Sequence, residues 1–486
     1  MLARSITHAL VGLDARTVEV EAHLQRGLPS FSIVGLPDKA CQEAKERVRS
    51  GIASAEHEWP LRRITVNLAP ADLRKEGSGF DLPIALAVLG ASRQVPPQRL
   101  EGHAAVGELA LDGRVRPVPG ILVAAEAARR AGLDHLVCAA ESAGEAALAG
   151  IEPIPVRHLA EASAYLRGLL TVPEVMPPSS PSEPPGPDLS AVRGQERGRR
   201  ALEIAAAGRH NVLLAGPPGT GKTMLARRLP GLLPALTLEQ ALEVTRIHSV
   251  AGLLPVGRPL VQRPPFRAPH HSASAPAVAG GGPGPRPGEA SLAHQGVLLL
   301  DELAEFARPA LEALRQPLED GTIAISRVAG QAVFPARFLL VATMNLCPCG
   351  ARGDAAAECS CSPQRLAGYR DKLSRALLDR IDLVVQMPRE RSREWHSCPG
   401  ESSTVVRARV EGAAVRLREE APSFGREAER LLSQAVDTLP LSARGRTRIA
   451  RTAVTIAALA ARPSVEPEHV AEALSYRTPR ELDGWT

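Results

Sequence analysis

The sequence predicts a multidomain chain: an α+β unit over residues 1–172, a proline-rich linker over 173–187, an α/β unit over 188–390 and a small all-helical unit over 391–486. Three observations carry that division. Pro173 to Pro187 reads PEVMPPSSPSEPPGP, a density of proline that holds neither a helix nor an internal strand. After it, short wholly apolar runs alternate with helical stretches, as strands covered on both faces by helices do. From about Glu401 the texture becomes Arg/Glu/Ala-rich with helical periodicity. A length of 486 residues is itself more than one ordinary core requires.

In the first unit, Thr17 to Glu21 and Arg63 to Asn67 alternate apolar and polar residues as half-buried strands do, whereas Lys39 to Ser54 and Ile121 to Ala131 read as helices. In the second, Asn211 to Ala215 is a short apolar strand entering a glycine loop. Val297 to Leu300 is a fully apolar strand ending in two acids, and Phe338 to Ala342 is another that ends near Asn345. The last unit contains helical patterns over Leu441 to Ala461 and Glu466 to Tyr476. No internal repeat accompanies them.

Composition narrows the class. A hydrophobic fraction of 44% with 23% charged residues suits globular cores rather than a disordered chain. The N-terminus lacks a basic region followed by an apolar block, and no apolar run is long enough to cross a bilayer, so a cytoplasmic protein without a membrane partner is expected. Seven cysteines in so long a chain do not form a secreted disulfide framework. The net charge of +5 leans toward an anionic partner. Lysines occur only at 39, 45, 75, 222 and 372, so the one inside a glycine loop stands out.

That loop, Gly216-Pro217-Pro218-Gly219-Thr220-Gly221-Lys222-Thr223, matches the pattern G-x-x-x-x-G-K-[ST] throughout. Its glycines let successive backbone N–H groups curl around one anion. Lys222 is then expected to reach the outer phosphates of a nucleotide and Thr223 to hold Mg²⁺ through its hydroxyl. A glycine turn before a helix would account for the loop alone. The second half of such a site is Asp301 and Glu302, at the end of the apolar strand. Asp301 is expected to hold the metal and Glu302 to polarise the attacking water. An acidic first helical turn would account for these two alone. Asn345 follows an apolar strand, where an amide could orient water, and Arg380 could stabilise transferring charge in trans; surface arginines abound, and both assignments rest mostly on the resemblance that follows.

On these residues the chain resembles the YifB/ComM family of magnesium-chelatase-like AAA+ ATPases. The similar segments are ALEIAAAGRHNVLLAGPPGTGKTMLARRLPGLLP (201–234), PFRAPHH (265–271), PRPGEASLAHQGVLLLDEL (285–303), LEALRQPLEDG (311–321), PARFLLVATMNLCPCG (335–350) and LLDRIDL (377–383). VGLPDKA, EGSGFDLPIALAVLG and LSARGRTRIARTA extend it to nearly the whole chain. The resemblance implies ATP and Mg²⁺ as cofactors and a hexameric homo-oligomer with ATP between subunits. It casts Asn345 as sensor 1, Arg380 as arginine finger and Arg444 as sensor 2 in a helical lid. It also implies single-stranded or branched DNA as partner, since ComM proteins promote branch migration during natural transformation. Two other readings remain beside the DNA motor. One is a chelatase motor subunit, a type that by resemblance lacks the N-terminal unit and the CPCG cluster. The other is a regulator related to ATP-dependent proteases.

The N-terminal unit resembles the Lon protease fold through KEGSGFDLPIAL and PVPGILVAAEAARRAG. Proteolysis there needs a serine activated by a lysine. Ile121-Leu122-Val123 stands where the lysine is expected and Ser78 is offset from the nucleophile's place, so a non-proteolytic unit serving assembly or DNA contact is expected.

Two clusters remain. Cys347, Cys349, Cys359 and Cys361 could enclose a structural tetrahedral Zn²⁺, although C-x-C is tighter than the usual spacing, or stay free in a turn of small residues. Cys41, Cys138 and Cys398 are scattered and expected to be inert. His270 and His271, with Gly280 to Gly288, belong either to an insertion loop facing the pore of the ring or to a structural turn.

Overall fold

The computed structural model describes residues 1–175, 186–281, 285–327, 330–354, 356–389, 400–439 and 442–477. Most of the expected linker and Cys398 lie outside the described residues.

The N-terminal unit is built on one mixed sheet. Strands β1 (Leu2–Val11) and β2 (Asp14–Gln25) form a hairpin whose two-residue turn places Gly12 at φ 65°. In β2, Val18, Val20, Ala22 and Leu24 are buried while Thr17, Glu19 and His23 face out, the period-two pattern expected of this segment. With β3 (Ser30–Val34), β4 (Arg63–Ala69) and β5 (His103–Val106), then a small hairpin of β6 (Glu108–Leu109) and β7 (Val115–Arg116), and finally β8 (His135–Ala139) and β9 (Glu152–Val156), the chain completes the sheet order β3-β4-β2-β1-β5-β8-β9. The half β1-β5-β8-β9 is parallel, and β1, β2 and β4 run antiparallel. Lys39 to Ser54 is helical except at Glu43, which separates the helices Lys39–Gln42 and Ala44–Ser54. Helix Asp81–Ala91 is buried at every position, as an all-round apolar helix must be.

The second unit carries a five-stranded parallel sheet. Its strands are β10 (Val212–Ala215), β11 (Phe266–Arg267), β12 (Val297–Leu300), β15 (Leu339–Met344) and β16 (Leu383–Gln386), with a separate hairpin, β13 (Thr322–Arg327) and β14 (Gly330–Pro335), inserted between β12 and β15. The order is β11-β12-β15-β10-β16. Strand alternation divides its side chains between two cores. Val212, Leu214, Val297, Leu299, Val341 and Val385 enter one; Leu213, Leu298, Leu300, Leu340, Ala342 and Val384 enter the other. Each buried Val or Leu contributes about 1.5–3 kcal/mol, which a polar substitution at any of these positions would forfeit.

The C-terminal region is formed by helices Ser403–Glu419, Arg426–Thr438, Ala443–Leu459 and Pro467–Ser475. A two-residue parallel pair, Ser423–Phe424 with Ser464–Val465, interrupts its otherwise helical character. Val410, Ile449, Ile456 and Tyr476 join Val212 and Val385 in one continuous core, so these helices share a hydrophobic interior with the parallel sheet. The N-terminal unit docks on the second through helix Ile121–Arg130. There, Glu126 pairs with Arg246 at 2.7 Å and the Gly120 amide donates to the Ser249 carbonyl at 2.9 Å. Among the described residues no helix is long and apolar enough to cross a membrane.

Candidate active site at the strand ends

Parallel register assembles the site. Ala215 lies opposite Met344, and Leu300 opposite Ala342, with β15 between β10 and β12. One residue further along each strand, Gly216 therefore meets Asn345, and Asp301 meets Thr343. All four lie at the carboxyl ends of the strands, where open α/β sheets leave a crevice.

The phosphate loop begins where there is no room for a side chain: a Cβ on Gly216 would stand 2.3 Å from the Met387 carbonyl oxygen. Gly219 and Gly221 take φ of 78° and 83°, left-handed values that glycine adopts without strain. Thr220 donates its hydroxyl to the Pro217 carbonyl at 3.0 Å, fixing the curl between those glycines. Gln195, itself left-handed at φ 48°, donates to the Thr220 carbonyl at 3.4 Å and to the Pro388 carbonyl at 2.9 Å.

Lys222 is nearly buried and turns its ammonium inward. Nζ donates to the carbonyls of Gly216 at 2.8 Å and Pro217 at 2.7 Å, and to Asn345 Oδ1 at 3.2 Å. Loss of solvent lowers its pKa to about 8, against the attraction of Asp301 and Glu302. The ammonium is thus held at the loop by weak acceptors, and anionic phosphate oxygens would be stronger ones.

The acids occupy two different settings. The Asp301 carboxylate accepts the Thr223 hydroxyl at 2.9 and 3.1 Å and also the Thr343 hydroxyl. Glu302 has a left-handed backbone, φ 56°, a costly geometry for a residue with a Cβ. Its amide donates to Thr343 Oγ1 at 3.1 Å, and its side chain is 60% exposed. Thr223 and Asp301 present only oxygen donors, which suits the hard cation Mg²⁺. With the left-handed glycines, the donor set fits a magnesium-bound phosphate chain.

Neither Arg380 nor Arg444 bonds to the loop or to Asp301 in this chain. Both engage Glu319, Arg380 through Nη2 and Arg444 through Nη2 at 3.0 Å. One helical turn beyond Arg444, Arg448 is buried and donates to the Ile381 carbonyl at 2.9 Å.

The four clustered cysteines do converge: their Sγ atoms all lie within 4.8 Å of one another. Cys347 is buried, and Cys349 and Cys359 are exposed. The Cys349 thiol is lowered to about 6, chiefly by donation from the Ala351 amide. Thiolates at about 2.3 Å from a tetrahedral zinc stand about 3.8 Å apart, and the pairs Cys347–Cys349 and Cys349–Cys359 are 3.3 and 3.7 Å apart, so the cluster is compatible with structural zinc. Cys41 and Cys138 are buried apart from it, each pushed up to about 12 by desolvation.

The histidine segment is only partly a loop. Phe266–Arg267 is the edge strand of the core sheet, paired with Val297 and Leu298. Flanking prolines and a length of two residues hide such a strand from any periodicity. Beyond it, His271 Nδ1 lies 3.8 Å from Glu302 Oε2, and the His270 and His271 ring centroids are 4.1 Å apart with the rings tilted by 35°. Thr343, which bridges the two acids, was not singled out in the sequence. It stands two positions before Asn345 in an apolar strand, so alternation alone puts both on one face.

In the N-terminal unit, Ser78 donates its hydroxyl to Glu108, whereas Lys75, fully buried, donates to the Pro70 carbonyl. Ile121, Leu122 and Val123 are buried apolar side chains at the start of their helix.

Comparison with known proteins agrees with this geometry. Residues 188–395 match the family model of magnesium chelatase, subunit ChlI. Residues 400–477 match the model of its C-terminal part, and residues 20–142 a model described as subunit ChlI of Mg-chelatase. A Mycobacterium tuberculosis protein is 46% identical over 98% of this chain and 98% of its own length. The YifB protein of Escherichia coli is 42% identical over 97% of this chain and 96% of its own. The competence protein ComM of Haemophilus influenzae is 43% identical over 98% and 97%. With a glycine loop, a strand-end acid pair and near full-length identity in agreement, the chain belongs to the YifB/ComM family of magnesium-chelatase-like AAA+ ATPases.

Proposed function

We propose that the protein is an ATP-hydrolysing motor that acts on single-stranded or branched DNA as a hexameric ring, a translocase or branch-migration helicase. One observation carries the ATPase reading: Lys222 with Asn345, and Thr223 with Asp301, meet at the ends of three adjacent strands. In this reading Lys222 leaves the Gly216 and Pro217 carbonyls for the outer phosphates, and Thr223 and Asp301 hold Mg²⁺. Held by Thr223 and Asp301, that ion would neutralise phosphate charge. Glu302 takes the proton of the attacking water while Asn345 orients it. Arg380 releases Glu319 to reach the site of the neighbouring copy, and Arg444 releases it to follow the lid toward the nucleotide.

The DNA partner is supported by the naming of the ComM relative as a competence protein and by the basic balance of the chain. The N-terminal unit, with Ser78 and Lys75 each engaged elsewhere, is read as non-proteolytic and as serving assembly or DNA contact. The magnesium-chelatase match over 188–395 favours a second reading, a motor subunit that remodels a protein partner. ATP turnover measured with single-stranded, duplex and branched DNA, with oligomer mass followed alongside, separates the two. Stimulation by DNA that fades steeply with salt supports the motor on DNA. Turnover indifferent to every DNA at low salt rejects it.

A further inference from the structure

We propose that Cys347, Cys349, Cys359 and Cys361 hold one structural Zn²⁺, and that this ion clamps the turn after Asn345 onto the phosphate loop. The metal half is independent of the proposed function; the clamping half rests on the ATPase reading.

The segment 348–361, PCGARGDAAAECSC, contains no Val, Ile, Leu, Met or aromatic side chain. It has nothing with which to build a core, and small excursions of that kind are held by cross-links or metals. It nonetheless joins two fixed points. At one end, Cys347 is wholly buried two residues beyond Asn345. At the other, Cys361 immediately precedes Ser362, which caps helix Pro363–Arg370 with its side chain. That helix carries Tyr369, whose hydroxyl donates to the Asn345 carbonyl at 3.2 Å. Both ends of the cysteine excursion are thus tied to Asn345, one along the chain and the other through this helix.

The middle of the segment reaches the phosphate loop. Gly350 is left-handed, φ 82°, and a Cβ there would stand 3.0 Å from Pro218 Cδ. Gly353, also at φ 82°, lies over Leu346, where a Cβ would come within 2.8 Å of Cδ1. Four thiols in mutual reach, rather than two separate pairs, suit a single tetrahedral ion better than disulfides. At 3.3 Å the Cys347 and Cys349 sulfurs are well beyond the ~2.05 Å of an S–S bond. Four cysteine ligands leave no open position, so the ion is structural and takes no part in phosphate chemistry. Withdrawing it frees the turn that sets Asn345 opposite Gly216.

The test uses the full chain, purified in reducing buffer without chelator, with zinc measured by plasma mass spectrometry. About one zinc per chain is expected, and Co²⁺ put in its place should show the visible bands of a tetrahedral thiolate site. The double variant Cys359→Ser with Cys361→Ser should lose the metal and about tenfold or more in ATP turnover, the usual cost of loosening a positioned group. Should the variant unfold, chelation of the native chain followed by zinc re-addition gives the same reading, with turnover lost and then restored. Sub-stoichiometric zinc, no thiolate bands and four thiols titrating freely in the native chain overturn the metal site. Full zinc with turnover unchanged on its removal overturns the clamp. Zinc-loaded protein that never hydrolyses ATP counts against the ATPase reading and therefore against the clamp, and leaves the metal site standing.

Discussion

Lys75 of the N-terminal unit and Lys222 of the core are both withdrawn from water, and each turns its ammonium onto carbonyl oxygens of its own loop. Lys75 meets Pro70; Lys222 meets Gly216 and Pro217. Desolvation lowers the pKa of both. Around Lys75 lie a buried thiol, Cys41, the strand-like bridge from Pro37 and the carboxylate of Asp72, which attracts the ammonium but, among the described residues, is not hydrogen-bonded to it. Around Lys222 lie Asn345 at 3.2 Å and the attraction of Asp301 and Glu302. A buried cation is therefore not a site in itself. What distinguishes the core is that three parallel strands end together, so groups far apart in sequence converge on one point.

The sharpest separation of the two regions should come from Glu302→Gln. The variant keeps the left-handed backbone and its amide bond to Thr343 but cannot accept a proton. Turnover should fall about 10²–10⁴-fold with ATP affinity retained, as for loss of a general base. Near-normal turnover would reassign the base. Next in size is Lys222→Ala, for which a loss of about 10²–10³-fold in turnover and weakened nucleotide binding are expected. Its counterpart, Lys75→Met, leaves the Pro70 carbonyl unpaired and should cost about 1–3 kcal/mol of stability. Turnover per folded molecule should stay unchanged. Lost turnover in a folded Lys75→Met chain would break the comparison.

Thr343→Val is a subtler probe, because it preserves shape and removes only the hydroxyl between Asp301 and the Glu302 amide. Leaving that amide unsatisfied is worth about 1–3 kcal/mol, or about ten- to a hundredfold in the Mg²⁺ needed for half-maximal turnover. ATP binding without metal should be unaffected. An unchanged Mg²⁺ requirement would show that Thr223 suffices to orient Asp301.

How much of this could be seen in the sequence depended on the distance over which each feature is encoded. The loop 216–223, the strand Val297–Leu300 and its two acids are local patterns, and the structure forms them within a residue or two of their expected bounds. Thr343 was equally local but lay inside an apolar run, where its polarity passed as incidental. The edge strand Phe266–Arg267 was illegible because two residues between prolines have no period. Glu319 could not be found at all. It joins Arg380 across 61 residues and Arg444 across 125, and surface-type charges at such separations have no sequence signature. The continuity of the C-terminal helices with the sheet core was hidden for the same reason: Ile456 and Val212 join one hydrophobic core only in three dimensions.

The smallest effect expected is also the one that tests the electrostatics most directly. In the free chain Lys222 gives up its proton near pH 8, because burial disfavours the ammonium more than Asp301 and Glu302 favour it. A triphosphate favours the ammonium and must raise that value on binding. Below about pH 8 the lysine is already charged, so binding takes up almost no proton. Above it, binding should take up most of one proton, and affinity should fall by up to about tenfold per pH unit. Calorimetry of ATP binding at about pH 7 and pH 9, in buffers of different ionisation enthalpy, reads the uptake directly. Lys222→Arg, whose guanidinium stays charged throughout, should bind without uptake at either pH. Equal uptake in the native chain and the arginine variant would place the titrating group elsewhere and remove the electrostatic distinction between Lys222 and Lys75.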